Sequence, residues 1–495
     1  MRINKVTAKY LAVSAILVLL ASSFASLAIK SSNPFKPAKK LGATTIAGYY
    51  NQNLNWNDCY GGFKCATFKV PIDYDNIELG ELDIAAMKHE SSEAIGNLVV
   101  NPGGPGGSGV DYVYSYASAF TDAINRSFNI VGFDPRGVGR SAPIECLTNK
   151  ETDEAYASNA YPMNESEIAL FEAESAAFAE KCLETNKYLA FDSTANAAKD
   201  MDILRALLGD KKLNYLGKSY GTYLGTLYAQ FFPERVGRFV LDGAVDPTLN
   251  SMQQTLQQAV GFDLAFKSFA EDCMKLSSCV FSGDFVTQTE SKLSDLRKEP
   301  LVVGDRKLTE SLAMYGIALG LYDEEFGWPA LRNALKDLFN GDGKALLSMA
   351  DQYTRRDANG NYATNEAVSL TVIACNDFPP SGIDAEAIIS AAPLFGKYVV
   401  YAEIDCKYLP KPNYQLVDGA IALNSSVLVI GTTNDPATPY QWAVKLSEVL
   451  INSKLISVTG DGHTGYNRGS QCVDQAVEKY LISGVIPAQN LACSA

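Results

Sequence analysis

Histidine is almost absent from this chain, which has only two in 495 residues, His89 and His463. None of its cysteines is spaced as C-x-x-C. Zinc sites are built mainly from these two residue types, so their scarcity argues against a zinc enzyme or a zinc-stabilised fold. We therefore expect neither a metal nor an organic cofactor.

Positive charge is also in deficit. The chain has 42 Lys and Arg against 56 Asp and Glu, for a net charge of −14. An acidic surface disfavours nucleic acid and anionic membranes as binding partners.

Long apolar runs are missing beyond the N-terminus, so no transmembrane helix is expected there. At the N-terminus, basic residues precede an apolar run over 11–20, and small residues follow. This order is typical of a secretory signal peptide, which we assign to residues 1–28, with an uncleaved anchor as the alternative. Residues 29–45 are predicted to form a flexible leader. We therefore expect an exported protein, secreted or periplasmic, with no membrane attachment after signal removal.

Ten cysteines follow the signal segment. An even number in an exported chain indicates disulfides, with a zinc site as the weaker alternative. Pairing of sequence neighbours is our hypothesis. The expected pairs are Cys59–Cys65, Cys146–Cys182, Cys273–Cys279, Cys375–Cys406 and Cys472–Cys493.

Short apolar strands alternate with amphipathic helices over 46–245 and again over 411–495. Alternation of this kind predicts an α/β fold with a mostly parallel sheet flanked by helices. Residues 246–410 show mainly helical periodicity instead. An insertion of this type between two core strands predicts a helical cap domain.

A G-x-S-x-G motif lies at Gly217–Gly221, between a predicted strand over 212–216 and a predicted helix over 222–232. In that context the motif predicts a nucleophile elbow, which exposes the Ser219 hydroxyl above the sheet. An ordinary strand–helix turn is the alternative.

A serine nucleophile needs a base, and the two histidines leave little choice. His463 lies between glycines in a predicted loop after the last strand, whereas His89 is expected to be solvated. Asp435 follows the strand that re-enters the core and is the predicted acid of the triad, with Asp461 as a weaker alternative. The chain order is then Ser…Asp…His, as in α/β-hydrolases.

The oxyanion of an acyl-transfer intermediate needs two hydrogen-bond donors. The backbone N–H of Tyr220, next after the predicted nucleophile, is the first candidate. The glycine-rich loop 103–107 follows a strand and should supply the second. This loop lacks the signatures of a phosphate-binding loop.

Five motifs then occur in a recognisable order. They are NPGGPGGSG at 101–109, GFDPRGVGRS at 132–141, GKSYG at 217–221, DPATP at 435–439 and GDGHT at 460–464. Together they resemble the secreted tripeptidyl aminopeptidases, related to the prolyl aminopeptidases, within the α/β-hydrolase serine peptidases. The resemblance covers roughly residues 48–495.

The resemblance implies an α/β-hydrolase fold and release of single residues or short peptides from free N-termini. It also implies that Gly104 is the second oxyanion residue. The chain departs from the prolyl subgroup at Pro102, where relatives in that subgroup often carry histidine before Gly-Gly-Pro. This separates the chain from that subgroup and leaves the backbone oxyanion donor intact.

An aminopeptidase must recognise a charged α-amine, for which a carboxylate is the natural partner. The candidates from the sequence are Asp377, which resembles a recurrent element of the family, and Glu324 or Glu325. Trp328, together with Tyr322 and Phe326, could line an apolar pocket, and cap packing is the alternative for these residues.

The expected function is thus a serine aminopeptidase that acts on peptide substrates through an acyl-enzyme. Two rival functions are a carboxylic-ester hydrolase on the same scaffold and a catalytically inactive binding protein. The triad residues do not distinguish amide from ester substrates.

Overall fold

The computed structural model describes residues 34–382, 384–412, 416–417 and 419–495. The predicted signal peptide and the first part of the predicted leader lie outside these residues. Among the described residues, no helix has the length and apolar character needed to cross a membrane.

Ten strands form one sheet, in the order β1-β2-β3-β5-β4-β6-β7-β10-β11-β12, and β8 pairs with β9 separately. The strands are β1 (Asn57–Cys59), β2 (Phe63–Pro71), β3 (Glu81–His89), β4 (Asn97–Asn101), β5 (Asn129–Phe133), β6 (Leu213–Lys218), β7 (Val236–Asp242), β8 (Leu301–Val303), β9 (Arg306–Leu308), β10 (Ile421–Asn434), β11 (Leu450–Asp461) and β12 (Leu491–Ser494).

The helices pack on both faces of the large sheet and form the cap. They are α1 (Ile46–Tyr50), α2 (Gly109–Tyr114), α3 (Tyr116–Ala119), α4 (Asp122–Ser127), α5 (Asn149–Ala157), α6 (Glu165–Thr185), α7 (Thr194–Leu207), α8 (Tyr220–Phe231), α9 (Ser251–Cys273), α10 (Phe285–Lys298), α11 (Glu310–Leu321), α12 (Gly327–Phe339), α13 (Lys344–Tyr353), α14 (Glu366–Asp377), α15 (Ala385–Ala391), α16 (Tyr440–Val449) and α17 (Gln471–Ser483).

Successive side chains of a strand point to opposite faces of the sheet, and in the central strands the side chains on both faces are buried. In β6, Tyr215 packs into the core on one face and Leu216 into the core on the other. Phe239 and Val240 of β7 divide in the same way. Helices therefore have to cover both sides of the sheet.

In the large sheet, the strands β5, β4, β6, β7, β10, β11 and β12 pair in parallel, whereas β1, β2 and β3 form an antiparallel edge. Parallel pairing brings the carboxyl ends of β4, β6, β7, β10 and β11 to one edge of the sheet, where ligands bind in open α/β sheets. This is the α/β-hydrolase fold, and it confirms the predicted fold class.

The segment between β7 and β10 forms a largely helical lobe with its own apolar core. Helices α9 to α13 surround this core, in which the ring of Trp328 packs edge-on against Phe269 at 5.9 Å. Trp328 is 4% exposed, so it stabilises the cap from inside and lines no pocket.

Helices α5 and α6 lie before the predicted cap boundary yet contact the cap. Arg297 of α10 pairs with Glu167 of α6 at 2.7 Å. Arg356 pairs with Asp153 of α5 at 2.6 Å. The sequence prediction placed α5 and α6 in the first core segment, and in the structure they bridge that segment to the inserted one.

Five disulfides join the same neighbouring cysteines that the spacing suggested. The Cys146–Cys182 bridge ties α6 to the segment that follows β5. The Cys375–Cys406 bridge ties α14 to the chain returning toward the core. No free cysteine is present in the part of the chain that the structure describes.

Candidate active site

Ser219 lies at the tight turn between β6 and α8. Its backbone has φ 55° and ψ −128°, a conformation that non-glycine residues rarely adopt. The turn is held by a hydrogen bond of 2.8 Å from the Ser219 N–H to the carbonyl of Asp242. A methyl group on Gly221 would lie 2.8 Å from the Asn101 amide oxygen, so the motif glycine is required by close packing. These features are those of a nucleophile elbow.

His463 and Asp435 form a hydrogen-bonded pair. His463 Nδ1 lies 2.9 Å from both carboxylate oxygens of Asp435, and the imidazole is nearly buried. Asp435 also accepts hydrogen bonds from the N–H groups of Ala437, Thr438 and Thr464. When Nδ1 donates its proton to Asp435, Nε2 is left free to accept one.

The alternative acid and the alternative base lie elsewhere. Asp461 interacts with the side chains of Ser268 and Asn434. His89 is half-buried and stacks on Tyr116 with ring centroids 3.7 Å apart, so it is not solvated as expected. Burial lowers the pKa of His89.

Asp242 holds the loop that carries His463. It is fully buried at the end of β7 and accepts hydrogen bonds from the N–H groups of Gly465, at 2.8 Å, and Tyr466, at 3.0 Å. Lys218, next to Ser219, donates to the carbonyl of Tyr466 at 2.8 Å and lies 3.9 Å from Asp242. Burial lowers the pKa of Lys218 and raises the pKa of Asp242. Hydrogen bonds and opposite charge thus link Lys218, the residue before Ser219, to the loop that carries His463.

Ser219 and His463 both flank the end of β7. The Ser219 N–H binds the carbonyl of Asp242, and the Cβ position of the next residue, Gly243, is 3.3 Å from His463 Cε1. Neither the Ser219 hydroxyl nor His463 Nε2 makes a hydrogen bond among the described residues. Catalytic hydrogen bonds are often long before substrate binds, so this arrangement is compatible with proton transfer from serine to imidazole.

The glycine-rich loop after β4 lies directly over Ser219. A methyl group on Gly103 would come within 2.8 Å of Ser219 Cβ, so only glycine allows this approach. Within the described chain, the N–H groups of Gly104 and Tyr220 donate to no other group. An oxyanion hole requires two unpaired N–H donors, and these two groups are the candidates.

A buried carboxylate fixes the far end of this loop. Asp134 accepts hydrogen bonds from the Ser108 hydroxyl and the Val110 N–H. It also pairs with Arg140 at 3.1 Å, and Arg140 pairs with Asp111 at 2.7 Å. The second sequence motif, at 132–141, therefore positions the first.

The cap closes over His463 through Tyr322, at the end of α11. The Tyr322 carbonyl accepts hydrogen bonds from the His463 N–H and from Arg468, each at 2.9 Å. Its ring contacts the imidazole edge-on, with centroids 5.2 Å apart. Of the three predicted pocket residues, only Tyr322 contacts the site, since Phe326 is 66% exposed and Trp328 lies in the cap core.

The structure does not bring the three predicted amine-binding carboxylates together. Asp377 is 5% exposed, and its two oxygens accept hydrogen bonds from the Thr194 N–H and hydroxyl. Glu324 and Glu325 are exposed between α11 and α12. Thr194 in turn bonds the Tyr220 hydroxyl, so Asp377 supports the residue after Ser219 from within the core.

A carboxylate that the sequence reasoning missed lies closer to the oxyanion loop. The Cβ position of Gly106 is 3.3 Å from the Cγ atom of Glu366, the first residue of α14. In the sequence, Glu366 follows polar residues at an ordinary helix start, and no motif distinguishes it. Only the packing of α14 against the loop reveals this position.

Comparisons with known proteins found one matching family model and several relatives. Residues 392–493 match the family model described as TAP-like protein. Serine protease Hip1 of Mycobacterium tuberculosis is 34% identical over 479 residues, which are 89% of this chain and 91% of that protein. Carboxylesterase B of the same organism is 36% identical over 482 residues, 92% of each chain. Tripeptidyl aminopeptidase of Streptomyces coelicolor is 29% identical over 471 residues, 89% of this chain and 86% of that protein.

Proposed function

The chain belongs to the tripeptidyl aminopeptidase-like serine peptidases of the α/β-hydrolase superfamily, and from this premise we propose that it is an exported aminopeptidase. It releases single residues or short peptides from free N-termini. The observation that carries the proposal is the bond of His463 to both oxygens of Asp435, beside the strained turn of Ser219.

In the acylation step, Ser219 Oγ attacks the scissile carbonyl carbon while His463 Nε2 accepts the hydroxyl proton. The Asp435 carboxylate orients the imidazole and stabilises its protonated form. The carbonyl oxygen becomes an oxyanion, which the N–H groups of Gly104 and Tyr220 bind. His463 then donates its proton to the leaving amine, and the C–N bond breaks.

In the deacylation step, water replaces the leaving peptide. His463 Nε2 accepts a proton from the water, whose oxygen attacks the ester carbonyl of the acyl-enzyme. Collapse of the second tetrahedral intermediate returns the proton to Ser219 Oγ and releases the N-terminal product.

Export is supported by the cysteine chemistry. Five disulfides persist in oxidising compartments and are rare in the cytosol. The predicted signal segment agrees with this location.

A carboxylic-ester hydrolase is the second candidate. A relative 36% identical to this chain carries the name carboxylesterase B. The same acyl-enzyme chemistry cleaves esters, so the triad geometry serves either substrate. Recognition of the amine separates the two functions.

The test compares p-nitroanilides of one to three residues with a free amine, the same compounds N-acetylated, and p-nitrophenyl acetate. The aminopeptidase should prefer the free-amine compounds by at least tenfold in kcat/KM. Hydrolysis of the ester with no free-amine preference would instead assign an esterase.

Replacement of Ser219 by alanine tests whether Ser219 is the nucleophile. Ser219→Ala should lower kcat about 10³–10⁶-fold and abolish labelling by a fluorophosphonate. Ser166, exposed on α6, provides the matched control, and Ser166→Ala should behave as the parent. A Ser219→Ala enzyme with a tenth of the parent activity would exclude Ser219 as nucleophile.

A further inference from the structure

The start of α14 is anchored by hydrogen bonds to the segment that follows β5. The Asn365 amide donates to the carbonyls of Gly137 and Ile144, at 2.8 and 3.0 Å, and accepts from the Gly139 N–H at 2.9 Å. These contacts hold Glu366, the next residue, in a defined place beside Gly106. Glu366 is therefore on a rigid element, as a binding residue needs to be.

The Glu366 carboxylate has no hydrogen bond among the described residues. Its nearest cation is Arg355, whose Nε lies 4.0 Å away and whose side chain is 65% exposed. The Glu366 side chain is 31% exposed, and partial burial raises the pKa of its carboxyl group. The carboxylate is thus partly desolvated and incompletely neutralised.

Three other buried carboxylates already accept hydrogen bonds from protein groups. Asp377 binds Thr194, and Asp242 binds the histidine loop. Glu310 in the cap binds Tyr398 at 2.6 Å and Arg297 at 3.3 Å. Glu366 differs from them because its oxygens remain available to a ligand.

Tyr322 and Tyr353 of the cap lie within electrostatic range of Glu366. Burial is the main cause that raises the pKa values of both phenols, and the charge of Glu366 adds a smaller contribution. Tyr322 is the residue whose ring contacts His463. The faces of aromatic rings favour cations and disfavour anions, and they complement a carboxylate that binds an ammonium group.

We propose that Glu366 binds the α-ammonium group of the peptide substrate, in a subsite between the oxyanion loop and Tyr322. The proposal rests on the aminopeptidase function and names the residue that confers it. The ammonium donates hydrogen bonds to the carboxylate, and Arg355 is exposed enough to move aside.

The position of Glu366 also limits the length of the released product. The Cβ position of Gly103 is 3.4 Å from Ser219 Oγ, and that of Gly106 is 3.3 Å from Glu366 Cγ. Gly103 and Gly106 are three residues apart, so their Cα atoms are separated by at most about 10 Å. Ser219 Oγ and Glu366 Cγ therefore lie at most about 20 Å apart, and since an extended residue spans ~3.3–3.6 Å, the released product has at most about five residues.

The test measures kcat/KM for mono-, di- and tripeptidyl p-nitroanilides with free and acetylated amines, and for p-nitrophenyl acetate. Glu366→Gln should lower kcat/KM on the preferred free-amine compound about 10–150-fold, since a charge-assisted bond is lost. Hydrolysis of acetylated compounds and of the ester should change less than about threefold, because they present no ammonium group. Glu366→Asp keeps the charge, so its kcat/KM on the free-amine compound should fall less than that of Glu366→Gln.

Glu324→Gln tests the rival carboxylate that the sequence suggested, which is exposed on the same cap. It should retain the free-amine preference of the parent. A carboxylate in the first turn of α14 also stabilises that helix, so Glu366→Gln removes a stabilising charge. Fluorophosphonate titration of Ser219 therefore measures the concentration of folded enzyme for every variant.

Three outcomes overturn the proposal. Equal losses on free-amine, acetylated and ester substrates would assign Glu366 to the fold. An unchanged preference in Glu366→Gln, or a loss in Glu324→Gln instead, would leave the aminopeptidase function and reject Glu366. A parent enzyme with no preference for the free amine would reject both.

Discussion

The buried pair of Lys218 and Asp242 offers a test of how the fold positions His463, the proposed catalytic base. Asp242 is fully buried, and the Lys218 side chain is 15% exposed. Removing one partner leaves the other charge uncompensated, which costs about 3–5 kcal/mol for buried pairs. We therefore expect Asp242→Asn to lower the free energy of unfolding by about this amount.

The same substitution should lower kcat more than it raises KM. Asn keeps one acceptor oxygen, whereas Asp242 uses two, for the N–H groups of Gly465 and Tyr466. One of these bonds is lost, so the loop that carries His463 becomes less well held. A displacement of even ~1 Å in a catalytic group can cost about 10²-fold in rate.

A double-mutant cycle measures the interaction energy between Lys218 and Asp242. Lys218→Met combined with Asp242→Asn removes the uncompensated charge, so the double variant should be about 1–3 kcal/mol more stable than the sum of the single effects. Urea denaturation measures the stabilities, and p-nitrophenyl acetate hydrolysis, normalised by active-site titration, measures kcat.

Lys212 is the control, since it is exposed at the start of the same strand region. Lys212→Met should change neither stability nor kcat. If the free energy of unfolding of Asp242→Asn is within about 0.5 kcal/mol of the parent value and kcat is unchanged, the Lys218–Asp242 pair does not support the loop that carries His463.

Three further predictions follow from the site and the core. Asp435→Asn should lower kcat about 10⁴-fold with little loss of fold, because an amide can hold His463 in the tautomer that leaves no acceptor for serine. Burial outweighs the bonds from Thr194 and raises the pKa of Asp377 from 3.8 to about 7, so the folded state retains a proton that the unfolded state releases. The stability from this neutral carboxyl is full below about pH 4 and is lost as pH rises through about 7, so Asp377→Asn should gain on the order of 4 kcal/mol over the parent between pH 4 and pH 8 in urea titrations. An equal pH dependence in parent and variant would contradict this. Peptide mapping without reduction should find five crosslinks between sequence neighbours and no free thiol, and a crosslink between Cys146 and Cys375 would be incompatible with the structure.

The sequence alone was sufficient for features set by local pattern. The strand–turn–helix context located Ser219, because the elbow needs glycines and short apolar segments that adjoin in the chain. Scarcity of histidine singled out His463, and the order of the strands placed Asp435 after the strand that returns to the core. Alternation of strands and helices predicted the fold, since burial on both faces imposes apolar runs on parallel strands.

Tertiary structure decided everything that depends on contacts between distant segments. Asp377 and Glu366 lie at opposite ends of one helix, and the local sequence does not predict where either side chain points. Asp377 turns into the core toward Thr194, and Glu366 lies beside Gly106. In the same way, Tyr322 contacts the His463 imidazole, whereas Trp328 packs in the cap core. Local periodicity determines whether a residue is helical, whereas the orientation of a whole helix against a loop about 260 residues away is set by packing, which single-sequence patterns do not encode.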